Sequence, residues 1–156
     1  MPEFPVVVLE PGPFAYTTVT TEMSGIAHAM GEGFDRLGAM FAQAGAEMAG
    51  MPMCHYVQYD GKLTTFQLGF PCRSDDAGAL RTAGLDIGET PSGQVMKAVH
   101  VGPYDSVVTT YNAMIEAMKA RGLVGANDMW EAYYSPPETP PEQIRTEVIW
   151  PVRAAD

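Results

Sequence analysis

The stretch Met129-Trp130-Glu131-Ala132-Tyr133-Tyr134 sets one carboxylate among three large rings. A carboxylate in aromatic surroundings loses hydration, so its charge calls for a positive or hydrogen-bonding partner. A lipophilic cation meets that need without rigid hydrogen-bond geometry. Each ring face adds about 0.5–2 kcal/mol of cation–π attraction. Such a site selects for charge and bulk and tolerates many shapes, and flexible methionines such as Met23, Met53 or Met96 would help it adapt. Glu131 is therefore the first ligand-binding candidate, weighed against a plain solvated strand residue. Glu147 is the second, although Arg145, two positions away on the same strand face, is a ready ion-pair partner. Tyr133 and Tyr56 are candidate walls, with Tyr16 and Phe14 behind them. Tyr104 reads as a staple at a helix start, and Trp150 as packing.

Other chemistries find less support. His28, His55 and His100 share no metal-ligand spacing, and Cys54-His55 adjacency sends the two to opposite faces of a strand, so no metal and no cofactor are expected. The glycines of GIAHAMGEG lie inside a helical pattern and lack a preceding phosphate-loop pattern. No Ser–His–Asp arrangement stands out, and an acidic chain gives Cys54 no electropositive setting to lower its thiol pKa.

A net charge of −10 in 156 residues argues against nucleic acid, whose phosphates it would repel. The apolar run Val6–Leu9 is too short for a signal peptide or a membrane span, which makes the cytoplasm the expected compartment. Cys54 and Cys72 fit it as reduced thiols, and only adjacent strands would let them bridge.

The elements that must position these residues follow from hydrophobic period. Ile26, Met30, Phe34, Leu37 and Phe41 recur at three- and four-residue steps, as do Val107, Tyr111, Met114, Ile115 and Met118, predicting two amphipathic helices. Pro103 and Asp105 suit the start of the second and Gly122 its end. Strands are predicted over 14–23, 53–60 and 64–71, then 93–102, 129–135 and 145–151, with a shorter one near 85–89. Asp60-Gly61 marks a hairpin turn; a Pro-rich loop, 135–143, replaces it in the later pair.

The order is strand–helix–strand–strand, twice. Shifted by 77 residues, Phe34 falls on Tyr111, Leu37 on Met114, Phe41 on Met118, Gly45 on Gly122 and Tyr56 on Tyr133; a later shift of 80 sets Phe70-Pro71 on Trp150-Pro151. The expectation is one α+β domain over 1–156, with module one about 12–72, a linker about 73–84 and module two about 85–153. The modules are expected to be related by a pseudo-twofold axis, with mainly antiparallel sheet and a central ligand cleft. Strand alternation, with the more apolar sets turned to the helices, puts Glu131, Tyr133 and Glu147 together on the cleft side. Their counterparts Cys54 and Gln67 are uncharged, giving a cleft with acid on one wall only.

His100-Val101-Gly102-Pro103-Tyr104, Trp130-Glu131-x-Tyr133, Pro140-Pro141 and Arg145-Thr146-Glu147…Pro151-Val152 resemble the GyrI-like small-molecule-binding family, which includes effector-binding domains of multidrug-sensing bacterial transcription activators. The resemblance is specific over about 85–153 and rests on pattern alone before that. It implies paired modules, a ligand cleft, and an acidic residue, here Glu131 or Glu147, that recognises lipophilic cations. With no helix-turn-helix segment in the sequence, a free-standing binding domain is expected. Some relatives are linked with hydrolysis of strained, alkylating natural products; in that case Glu131 would activate water and Tyr133 donate a proton. Inhibition of a basic protein partner by the acidic surface is the third reading, and a homodimer is also open.

Overall fold

The structure, a computed structural model, describes residues 4–136 and 138–156. Pro137, inside the expected Pro-rich loop, lies outside the described residues. In chain order the elements are β1 (Val6–Leu9), β2 (Pro13–Glu22), α1 (Ile26–Ala44), β3 (Met53–Tyr59), β4 (Leu63–Pro71), α2 (Ala77–Thr82), β5 (Asp86–Glu89), β6 (Gly93–Val101), α3 (Val107–Ala120), β7 (Leu123–Gly125), β8 (Met129–Tyr133) and β9 (Arg145–Ala154). They divide between two compact units, residues 11–90 and residues 1–10 with 91–156.

In the unit of residues 11–90 the antiparallel strand order is β3-β4-β2-β5. Helix α1 lays the predicted stripe on this sheet, burying Leu37 and Phe41 completely. Each such side chain contributes about 1.5–3 kcal/mol by leaving water. The helix stops at Gly45, whose φ of 66° is left-handed and whose N–H closes the last turn on Ala42. The Asp60-Gly61 turn forms as the sequence predicts. Asp60 Oδ1 accepts the backbone N–H groups of Leu63 (2.7 Å) and Lys62 (2.9 Å), and these bonds hold its carboxyl below the usual carboxylate range.

The other unit repeats the plan: β1-β6-β9-β8, all antiparallel, with β7 pairing the end of β9. Its core gathers Phe4, Met96, Ala98, Met114, Met118, Val148, Trp150 and Val152. Gly122, φ 67°, follows α3 as Gly45 follows α1. The aligned ring pairs have nearly the same geometry. Phe34 meets Phe70 edge-on at 5.8 Å, and Tyr111 meets Trp150 edge-on at 5.6 Å. The 77- and 80-residue shifts therefore mark a true structural repeat.

Three elements were not anticipated. Residues 73–84, expected as linker, hold a 3-10 turn at Ser74–Asp76 and α2, which buries Leu80. The short apolar run Val6–Leu9 is an edge strand on β6, as β5 is on β2. β7, of three residues, was too short for alternation to show. The strand near 85–89 pairs β2 and thus belongs with the first module.

Candidate functional site

The site is built on β8, whose residues Trp130–Tyr133 are all buried. Glu131 is only 4% exposed. Its two oxygens each accept a phenol: Tyr133 donates to Oε1 at 2.8 Å, and Tyr111, from α3, donates to Oε2 at 2.7 Å. Hydrogen bonds of this charge-assisted kind contribute about 1.5–3 kcal/mol each. They hold the carboxyl group in one orientation.

Two further rings stand against these tyrosines. Tyr111 packs edge-on against Trp150, whose indole N–H donates to the Ala126 carbonyl at 2.7 Å. Tyr104, in the 3-10 turn Tyr104–Ser106 ahead of α3, sets its ring edge-on to Tyr133 at 5.8 Å. Burial, then the negative charge of Glu131, pushes the Tyr104 phenol above its ordinary range.

The registers correct the expected faces. Glu131 pairs with Val148 and Tyr133 with Thr146. Val148 and Trp150 belong to the core under α3, so Glu131 and Tyr133 point to the helix side. Glu147 pairs with Ala132 and Val99 and lies on the opposite face. The two acids are not neighbours on one wall. The faces of β9 agree with the expectation and those of β8 are reversed, because apolar count does not identify the helix side of a strand buried on both faces. Two phenols on and opposite the strand make that face hospitable to a carboxylate, a compensation a count cannot register.

Glu147 has its own cation. Lys97 Nζ stands 3.8 Å from its Oε1, taking the place expected for Arg145, and the Tyr134 phenol donates to the same oxygen at 3.1 Å. Burial, then the Glu147 charge, raises the Tyr134 phenol too.

The remaining candidates belong to the unit of residues 11–90. Phe14 is buried and stacks on Tyr16 at 5.6 Å. Tyr56 packs against Phe66 at 6.3 Å, Cys54 is fully buried, and Gln67 Oε1 lies 2.9 Å from His55 Nδ1. Cys54 and Cys72 are both buried, and no disulfide joins them. The same unit has a cleft of about 500 Å³ between β2 and α1, lined among others by Thr17, Glu32, Arg36 and Met40; it contains none of the candidate residues. Among the described residues there is no cluster of His, Cys, Asp or Glu suited to a metal, and no helix is long and apolar enough to cross a membrane.

Periodicity places Tyr111 in the helical stripe; the structure adds its bond to Glu131. The repeat held the signal for its role. Where module one has Phe34 and Cys54, module two has Tyr111 and Glu131, so hydroxyl and carboxylate arrive together. Tyr104, read as a staple, proves to be a neighbour of the site.

Comparison with solved structures places this fold among known ones. The C-terminal domain of EcmrR is similar with a TM-score of 0.78, 15% identity and 98% of each chain covered. A hydrolase from Listeria innocua gives a TM-score of 0.70, 16% identity, and covers 97% of this chain and 92% of its own. SAV2435, solved bound to tetraphenylphosphonium, gives 0.65 and 13%, with 97% and 94% covered. At these identities the likeness shows the fold alone. No curated protein matches the chain. Residues 2–153 match the sequence model of one family, and the chain belongs to it: the GyrI-like small molecule binding domain family.

Proposed function

We propose that the protein binds bulky hydrophobic cations, with Glu131 as the charge that recognises them and Tyr111, Tyr133 and Tyr104 as aromatic surroundings. The observation that carries this reading is the buried carboxylate whose two oxygens are held by two phenols. A carboxylate fixed by neutral donors inside rings offers a cation an oriented charge and π faces together. Glu147, ion-paired with Lys97 on the opposite face of the sheet, is the second candidate anchor. The likeness to SAV2435, solved with a lipophilic phosphonium, supports the same ligand class. A calorimetric titration with tetraphenylphosphonium tests it. Wild type should bind near micromolar, about −8 kcal/mol, and Glu131→Gln should lose most of that affinity. Binding indifferent to Glu131 would sink the reading.

Hydrolysis is the second reading. It is favoured by the 2.8 Å bond from Tyr133 to Glu131, which sets a proton donor beside a base, and by the fold shared with a protein described as a hydrolase. It requires a new product from the bound molecule, formed more slowly by Glu131→Gln and by Tyr133→Phe.

A further inference from the structure

His100 is 7% exposed on β6. Across three strands it stands in one row with Thr146 and Tyr133, on the α3 face. Its Nδ1 lies 2.8 Å from Thr110 Oγ1; its Nε2 lies 3.0 Å from Ser106 Oγ and 3.2 Å from the Pro103 carbonyl oxygen. A carbonyl only accepts, so these partners assign the hydrogen to Nε2 and leave Nδ1 to accept from the Thr110 hydroxyl. Ser106 Oγ itself donates to the Pro103 carbonyl at 2.8 Å, which leaves its lone pairs for Nε2–H. The turn between β6 and α3 is thus folded around one imidazole. Gly102 makes the bend, with φ 136°, and its N–H donates to the Ile144 carbonyl at 2.8 Å. What this enclosed turn presents outward is Tyr104, about half exposed, edge-on to Tyr133.

We infer that His100 is a positioning residue for the cation site: it locks the Gly102–Ser106 turn so that Tyr104 stands as a wall beside Glu131, and by holding that wall it sets a preference for bulky cations over small ones. The same segment in module one shows the contrast. Val19 pairs with Phe66, the counterpart of Thr146, and so occupies the position of His100; no imidazole stands there to build such a lock. The inference rests on the cation reading above, and its test separates the two.

Tetraphenylphosphonium and tetraethylammonium are titrated against wild type, His100→Phe, Tyr104→Ala and the double variant, with thermal midpoints recorded alongside. His100→Phe should weaken tetraphenylphosphonium binding about tenfold, a typical coupling between linked elements, and change tetraethylammonium binding little. Because His100 acts through Tyr104, the double variant should bind no worse than Tyr104→Ala alone. Additive losses, or equal losses for both cations, overturn the inference and leave His100 as a fold residue. Where His100→Phe does not fold, Ser106→Ala removes one Nε2 partner and carries the same comparison. If wild type binds neither cation, it is the cation reading that fails. The positioning role is then read from the fluorine resonance of 3-fluorotyrosine at position 104: a shifted or broadened line in His100→Phe upholds it, and an unchanged line overturns it.

Discussion

At the scale of single residues, the site is defined by hydrogen bonds to one acid. Tyr111→Phe and Tyr133→Phe each remove one donor from a buried carboxylate, so each should cost about 1.5–3 kcal/mol of stability by chemical denaturation. Thr146 makes the opposite case. Its side chain is fully buried and its Oγ1 has no hydrogen-bond partner among the described residues. Thr146→Val keeps the shape and removes an unmatched hydroxyl, so it should be neutral or stabilise by about 1 kcal/mol in the same assay. A third prediction concerns pH. The Tyr104 phenol is raised by burial and then by Glu131, so the folded protein keeps its proton where the unfolded chain has lost it. Stability from this group is complete below the ordinary tyrosine value of 10.0 and is lost as pH rises through the higher folded value. Denaturation midpoints should fall on that alkaline side, and less steeply in Glu131→Gln, where one of the two causes is gone.

At the scale of elements, the repeat makes paired predictions. Gly45 and Gly122 end equivalent helices in the left-handed region, with space for a Cβ but a backbone that side chains disfavour. Gly45→Ala and Gly122→Ala should each cost about 1–2 kcal/mol, to similar extents. Gly69 is different. A Cβ there would lie 2.2 Å from the Ala15 carbonyl oxygen of the neighbouring strand, and a paired backbone cannot yield as a side chain can. Gly69→Ala should destabilise by more than about 2 kcal/mol, read from the denaturation midpoint. Much of this level was legible beforehand. The apolar stripes located both helices because a helix on a sheet must bury one face. The face of β8 was not legible, because that strand is buried on both sides and alternation carries no sign there.

At the scale of the molecule, a net charge of −10 makes the protein on balance attractive to cations. Association of tetraphenylphosphonium should therefore slow as salt rises from about 10 to 150 mM, as the screening length shortens from about 30 to 8 Å, while dissociation changes little. Stopped-flow fluorescence would measure both rates.

The sequence by itself determined the repeated strand–helix–strand–strand plan, the two amphipathic helices and the Asp60-Gly61 turn. These depend on local periodicity and local backbone preference. It also singled out Glu131 from its neighbours. Tertiary structure alone decided that Glu131 faces α3 and is held by Tyr111, twenty residues earlier, and that Glu147 lies on the other face beside Lys97. Those outcomes depend on register between strands and on which hydroxyl meets which carboxylate. A shift of one residue in pairing would reverse every face, and no local pattern carries that information.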